Sequence, residues 1–138
     1  MKRRVFPILI LFVAAVFVNS CKKTSNSDTR HTGKLVADGG CGHYIVQLID
    51  STAADSTFLT KSWTDPLTDS TYTNVFTVSD VCTFQEIADI DHVMVGSVFL
   101  FTLNGPVPPQ ICNECDVLPF NMPAASNSVT NLELVTVQ

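Results

Sequence analysis

The sequence predicts an all-β domain with one short helix. Short runs rich in Val, Ile, Thr and Phe recur between clusters of Gly, Pro, Asn and Asp, which is the pattern of strands joined by turns. Only one segment, residues 81–88, places its apolar side chains at helical spacing. The chain has 138 residues, and the 118 that follow residue 20 are enough for one domain with a modest core.

Residues 1–20 have the composition of a signal peptide. Lys2, Arg3 and Arg4 precede fourteen residues, 5–18, that contain neither a charge nor a glycine. A basic start followed by a short apolar run and small polar residues is the pattern of an export signal. Because a helix needs about 20 apolar residues to span a bilayer, we expect a cleaved signal rather than a permanent membrane helix.

Residues 18–21, Val-Asn-Ser-Cys, resemble a lipobox, the site at which bacterial lipoprotein signals are cut so that the cysteine becomes the lipidated N-terminus. The ending Ser-Cys-Lys-Lys is similar to that of lipoproteins of the Bacteroidetes group. The resemblance implies that Cys21 anchors the chain to a cell-envelope membrane, where several acyl chains would hold it stably. An ordinary secretory signal, with Cys21 as a plain thiol, is the alternative.

Residues 21–32 are polar and predict a flexible tether between the lipid and a β-domain over residues 33–138. Surface-exposed lipoproteins of the Bacteroidetes group are associated with acidic residues directly after the cysteine. Here Lys22 and Lys23 follow the cysteine, and the first acid is Asp28. The resemblance therefore implies an outer-membrane protein that faces the periplasm.

Acidic residues dominate the chain after the signal. Residues 21–138 keep five of the eight Lys and Arg but all thirteen Asp and Glu, which gives a net charge of −8. From residue 35 onward Lys61 is the only basic side chain. A surface of this charge repels phosphate backbones, so we expect no nucleic-acid partner and look instead to an unidentified protein or glycan.

The first two strands are expected at residues 33–37 and 43–49. Three glycines within residues 39–42 separate them and supply the positive φ angles of a tight hairpin. The second run is apolar on both faces apart from His43 and Gln47. That pattern predicts a central strand that is buried on two sides.

Residues 50–71 are polar and too long for a simple loop inside a compact domain, so we expect an additional strand near residues 57–62. Residues 72–78 then alternate as a further strand. The side chains expected on one face of it are Tyr72, Asn74, Phe76 and Val78.

A short helix over residues 81–88 follows, and Ser79 or Asp80 stands where it can cap the first turn. Residues 93–103 form the most apolar strand and are interrupted only by Gly96 and Ser97. The side chains expected on one face of it are Phe99, Phe101 and Leu103.

Residues 104–127 hold five of the seven prolines and are expected to be loop, and residues 128–137 form the last strand, with Leu132 and Leu134 inward. Five antiparallel strands with a helix after the third are the plan of an OB-like barrel. The resemblance to Bacteroidetes lipoproteins implies the same fold, because several carry an OB-like domain that opens with a Gly-rich hairpin, here Cys41-Gly42. A β-sandwich is the alternative.

Four cysteines remain once Cys21 is set aside, and an even number in an exported domain favours disulfides. We favour the pairs Cys41–Cys82 and Cys112–Cys115. The first would tie the opening hairpin to the helix, and the second would rigidify the proline-rich loop. The two crossed pairings with Cys112 and Cys115 remain open.

Cys112 and Cys115 also have the spacing of a redox or zinc site. A thiol-dependent metal-binding or redox protein is therefore an alternative, to which His43 and Met122 would add soft-metal ligands. Prolines on both sides make a redox helix untenable, and an oxidising compartment favours disulfides over thiolates. We expect neither a metal nor a cofactor.

Trp63 and Tyr72 flank a polar segment and are the candidate ligand-binding residues, since OB-like barrels bind sugars and oligonucleotides. A carbohydrate-binding lipoprotein is thus a further alternative. No nucleophile elbow, phosphate-binding loop or metalloprotease helix is present in the sequence. The leading hypothesis is a lipid-anchored, non-enzymatic binding or accessory module.

Overall fold

A computed structural model describes residues 29–50, 56–108, 110, 112 and 121–135 of the chain. The predicted signal peptide, the predicted lipidation residue Cys21, and Cys115 lie outside these residues. The elements are β1 Arg30–Asp38, β2 Tyr44–Leu48, a 3-10 turn Ser56–Phe58, β3 Thr60–Thr64, β4 Thr71–Val78, α1 Val81–Asp91, β5 Val98–Asn104 and β6 Ser126–Leu134. None of the helices in the described part of the chain is long and apolar enough to span a membrane.

The six strands form one mixed sheet in the order β2-β1-β5-β6-β4-β3, and β2 also pairs with β4. All pairings are antiparallel except the short contact between β4 and β6, in which Thr77 faces Ser126 and Val78 faces Asn127. Strand pairing thus passes from β1 through β2, β4, β6 and β5 back to β1, while β3 extends from β4 outside this cycle.

The predicted β-rich class with one short helix is confirmed. The predicted count of five strands is wrong, because the polar segment contributes a sixth strand, β3, close to the residues 57–62 where we expected one. The sheet is also mixed rather than wholly antiparallel. β1 begins at Arg30, three residues before the predicted start of the domain, because residues 30–32 pair with β5.

Two apolar clusters form on opposite faces of the sheet. The larger is built on aromatic side chains, namely Tyr44, Phe76, Phe84, Phe99 and Phe101, with Leu132 and Leu134 packed against its edge. The smaller contains Val36, Ala37, Ile45, Trp63 and Val75, with Tyr72 and Met122 packed against it. Successive residues of β2 enter different clusters, so the expected burial of that strand on both faces is confirmed.

The predicted alternation of β4 is broken at Asn74, which has φ 54°. Asn is one of the few residues that tolerates this left-handed conformation. Tyr72 therefore packs with Trp63 in the smaller cluster, while Phe76 and Val78 lie in the larger one. The expectation that Tyr72 and Phe76 share a face is wrong, because the alternation of side chains changes at this left-handed residue.

The helix α1 is three residues longer than predicted and buries Phe84 and Ala88. It ends at His92, which adopts a left-handed conformation and donates its backbone N–H to the carbonyl of Ala88. Asp80 holds the N-cap position, but its side chain makes no capping hydrogen bond. Its carboxylate instead accepts hydrogen bonds from β6, so the expected capping role is wrong.

The strand expected over residues 93–103 is shorter, because residues 94–97 form a turn with Gly96 at φ 99°. The Ser97 backbone N–H donates to the Met94 carbonyl and closes this turn. Phe99 and Phe101 are fully buried on one face of β5, as the alternation predicts. Pro106, Pro108 and Pro123 disfavour regular structure in residues 105–108 and 121–125, where the structure shows none.

Candidate functional site

A cleft of about 220 Å³ opens between the β1–β2 hairpin and the beginning of α1. Its walls are formed by residues 41–43, residues 77–79, Val81, Gln110 and Ser126. Four separate parts of the chain therefore meet here: the hairpin, the junction of β4 with α1, the segment between β5 and β6, and the start of β6.

The hairpin is held by its own backbone. The Asp38 carboxylate accepts the N–H of Gly40, and the N–H of His43 donates to the Gly40 carbonyl. Gly40, Cys41 and Gly42 all have positive φ angles, as the glycine-rich sequence predicts. The loop is consequently tight.

Gly42 brings this loop against the helix. A Cβ atom at residue 42 would lie 2.1 Å from Cγ1 of Val81, which is far inside van der Waals contact. Only glycine permits both this approach and the φ of +77°. The width of the cleft is thus determined by a backbone-to-side-chain contact.

A disulfide joins Cys82, in the first turn of α1, to Cys112, and their Cα atoms are 5.2 Å apart. The favoured pairing of Cys82 with Cys41 and of Cys112 with Cys115 is therefore wrong, because the proline-rich segment rather than the hairpin brings its cysteine to the helix. Cys41 is also disulfide-bonded, and its partner lies outside the described residues.

Two polar side chains in the cleft have defined hydrogen-bonding roles. Nδ1 of His43 lies 2.9 Å from the Gly40 carbonyl, so Nδ1 must carry the hydrogen and Nε2 of the neutral ring is an acceptor. The Ser79 hydroxyl oxygen accepts the Val107 N–H at 3.2 Å, which leaves its own proton available for donation.

The hydroxyls of Thr77 and Ser126 make no hydrogen bond with the described residues. These residues face each other in the parallel contact between β4 and β6. Oγ1 of Thr77 is buried and has no hydrogen-bond partner in the described part of the chain. Unpartnered buried hydroxyls are uncommon in folded proteins because they forgo the hydrogen bonds of water.

A buried polar network supports the floor of the cleft. The Asp80 carboxylate accepts the Ser128 hydroxyl at 2.9 Å and the Val129 N–H at 3.1 Å. Asn127 is fully buried; its side-chain Nδ2 donates to the Phe58 carbonyl, and its backbone carbonyl accepts the backbone N–H of Ser79. These bonds fix β6 against the β4–α1 junction.

The described residues that were candidates for a soft-metal site do not form one. Cys41 and Cys112 are in disulfides, and Met122 packs in the smaller cluster while His43 lines the cleft. Among the described residues, no three His, Cys, Asp or Glu side chains are grouped so that they could hold a metal ion.

The two candidate aromatic residues are brought together. The rings of Trp63 and Tyr72 stack with centroids 6.2 Å apart and planes inclined by 23°. Trp63 is only 5% exposed, and its Nε1–H donates to the carbonyl of Asn121 at 2.6 Å. Stacking of a carbohydrate on Trp63 would therefore require the segment that carries Asn121 to move away.

Sequence reasoning identified the hairpin and His43 but missed the hydroxyl-bearing wall. Thr77, Ser79 and Ser126 stand at the ends of strands and have no local motif. Comparisons of this chain with family models, with curated proteins and with solved structures found no match. The function must accordingly be argued from the cleft itself.

Proposed function

We propose that this chain is an exported, lipid-anchored cell-envelope protein whose OB-like barrel binds a ligand or partner and catalyses no reaction. The observation that carries the proposal is the position of the cleft, at the meeting point of the hairpin and the proline-rich segment. The hairpin contains the disulfide-bonded Cys41, and the proline-rich segment contains Cys112, which is bonded to Cys82. These covalent bonds restrain two walls of the cleft before a ligand binds.

The order of strand pairing supports an OB-like barrel. The cycle β1-β2-β4-β6-β5 has five members, and α1 follows the third of them along the chain. An OB-like barrel has five strands in a partly open Greek-key arrangement. In this interpretation β3 is an added strand, inserted between the second and third strands of the barrel. A β-sandwich would divide the strands between two sheets, whereas the pairings here are continuous.

If the chain follows the OB-like plan, the cleft corresponds to part of the face on which such barrels bind their ligands. Those barrels use the face of their second and third strands with the loops after strands one and four. The corresponding parts of this chain are β2 and β4, the hairpin of residues 39–43 and the segment between β5 and β6. Residues from the hairpin, from β4 and from that segment all line the cleft.

The anchor and the compartment complete the proposal. The lipobox-like motif at Cys21 supports lipidation, and the Lys22-Lys23 pair supports an outer-membrane location on the periplasmic side. Three disulfide-bonded cysteines among the described residues, Cys41, Cys82 and Cys112, are typical of an oxidising compartment. The net charge of −8 disfavours nucleic acid as the ligand.

The decisive experiment places a photoreactive amino acid at Gln110, an exposed position on the cleft wall, in the protein expressed in its own cell envelope. The matched control carries the same residue at Leu67, which is 75% exposed at the tip of the β3–β4 hairpin. We expect an adduct at residue 110 that is absent at residue 67. Equal labelling at both positions, or none at residue 110, would refute a binding role for the cleft.

The anchor is tested separately. Metabolic labelling with a radioactive fatty acid should mark the wild-type protein and leave a Cys21→Ser variant unlabelled. If the Cys21→Ser protein is labelled, or the wild type is not, Cys21 is not the lipidated residue. The alternative of an ordinary secretory signal would then be favoured.

A further inference from the structure

We propose that the cleft binds an uncharged polyhydroxyl ligand, specifically one neutral sugar ring at the end of a glycan. This inference rests on the proposed function, because it assigns a ligand class to the same cleft. It differs from carbohydrate stacking on Trp63, since it places the sugar between the hairpin and α1.

The described walls of the cleft favour a neutral ligand over a charged one. None of the described residues that line the cleft is Asp, Glu, Lys or Arg, and His43 is the one ionisable side chain among them. An anionic ligand would also face the acidic surface of the domain, where residues 35–138 carry a net charge of −11. A charged ligand would lose its hydration here without gaining an opposite charge.

The hydrogen-bonding groups of the cleft are a mixed set of neutral donors and acceptors. Nε2 of His43 accepts, the Ser79 hydroxyl has a proton to donate, and the Ser126 hydroxyl makes no hydrogen bond with the described residues. Each hydroxyl of a sugar both donates and accepts. A ring with several adjacent hydroxyls therefore matches this set better than a ligand that only accepts or only donates.

The remaining walls are apolar and the space is small. Val81, which is partly exposed beside the backbone of Gly42, offers methyl groups that suit the C–H face of a sugar ring, and Val78 lies buried behind it. The volume of about 220 Å³ lies below the roughly 300–1,000 Å³ of sites that hold drug-sized ligands. The cleft thus accommodates one ring rather than an oligosaccharide chain.

The test uses the full exported protein and calorimetric titration with neutral methyl hexosides, each compared with a charged counterpart of similar size, namely glucuronate and glucosamine. We expect saturable binding of at least one neutral hexoside and weaker binding of both charged sugars. Equal or tighter binding of a charged sugar would overturn the proposal, as would a lack of binding by every neutral hexoside at millimolar concentration.

Two variants link binding to the cleft. His43→Asn keeps a donor near the position of Nδ1 for the Gly40 carbonyl but removes Nε2, and Ser126→Ala removes one hydroxyl. Each should weaken the neutral hexoside about tenfold, the effect of one lost hydrogen bond in a binding site. Ser62→Ala, on the exposed part of β3, is the matched control and should bind as the wild type does. Unchanged affinity in both cleft variants would refute the assignment.

The two proposals can fail separately. An adduct at residue 110 in cells together with no hexoside binding would leave the cleft as a binding site and reject the neutral sugar. The absence of both would reject the binding role itself.

Discussion

The carboxylate of Asp80 accepts a 2.9 Å hydrogen bond from the hydroxyl of Ser128. Each of the two residues is 6% exposed, and they are 48 positions apart in the chain. The contact joins the residue that precedes α1 to β6, the last strand along the chain. A side chain that the sequence offers as a local helix cap is therefore used to hold together distant parts of the fold.

Removal of this carboxylate should destabilise the domain. Asp80→Ala leaves the Ser128 hydroxyl and the Val129 N–H buried without an acceptor, so we expect a loss of about 3 kcal/mol in the free energy of unfolding measured with urea. Asp69→Asn is the control, because Asp69 is exposed and Asn suits its φ of 55°, and it should change stability by less than about 0.5 kcal/mol. Similar losses in both variants would contradict the role of the network.

The two hairpin glycines offer a matched pair of alanine substitutions. Both have positive φ angles, +73° at Gly40 and +77° at Gly42, but only a Cβ at residue 42 would meet Val81. Gly40→Ala should cost about 1 kcal/mol of stability for the backbone strain alone. Gly42→Ala should cost about 3 kcal/mol because the clash is added. Thermal unfolding of the two variants measures the difference, and equal midpoints would show that the hairpin can move away from α1.

The Cys82–Cys112 bond should be found in non-reduced peptide maps of the exported protein. It closes a separation of 30 residues, and the chain-entropy model assigns about 4 kcal/mol to such a loop. The double variant Cys82→Ala with Cys112→Ala should lose about that much stability. A peptide that links Cys82 to Cys41 would instead support the pairing that we favoured from the sequence.

The stability of the fold should fall in strongly alkaline solution because of Tyr44. Burial, followed by the nearby charges of Asp38 and Asp89, raises the pKa of the Tyr44 hydroxyl above its ordinary value of 10.0. Below pH 10 the tyrosine is neutral in both states. As the pH rises above that value, the unfolded chain ionises while the folded state resists ionisation, so the free energy of unfolding decreases.

The variant Tyr44→Phe measures how much Tyr44 contributes to the decrease in the free energy of unfolding at alkaline pH. Urea unfolding midpoints of the variant should decline less steeply than those of the wild type above pH 10 and run parallel to them between pH 7 and pH 9. Tyr72→Phe is the control, as the only other tyrosine in the chain. If the two variants decline equally, Tyr44 is not the source.

The single tryptophan distinguishes the two places where a sugar could bind. Trp63 is nearly buried and its indole N–H is bonded to Asn121, so its fluorescence should be weakly quenched by acrylamide and unchanged by neutral hexosides. Quenching by a hexoside would place the sugar on the Trp63–Tyr72 pair, as the sequence-based alternative holds. In that case the Ser126→Ala variant should bind the hexoside with the same affinity as the wild type.

Much of the fold was predictable from local patterns. Strands β1, β2, β5 and β6 and the helix α1 follow from apolar periodicity, because the side chains of a strand or helix must reach the core from one face. The break in β4 was not predictable in the same way. Asn74 has the pattern of an ordinary strand position, and only the packing of Tyr72 with Trp63 reveals that the side-chain alternation changes there.

The candidate site was predictable only in part. The glycines and His43 of the hairpin are neighbours in the sequence, so their conformation follows from local turn chemistry. Thr77 and Ser126 are brought together by a parallel pairing of two residues on each strand. Hydroxyl residues at strand ends are common, and nothing in their spacing indicates which ones will meet.

By itself the sequence determined the acidic net charge, the β-rich class, the helix over residues 81–91 and the glycine hairpin, and it predicts an export signal, because each of these depends on composition or on residues close together in the chain. Only the tertiary structure decided that Cys82 bonds to Cys112, that Asp80 serves β6 rather than its own helix, and that four segments enclose a cleft. Those choices depend on which distant groups are buried against each other, and the free energy of burial acts on proximity in space rather than in sequence.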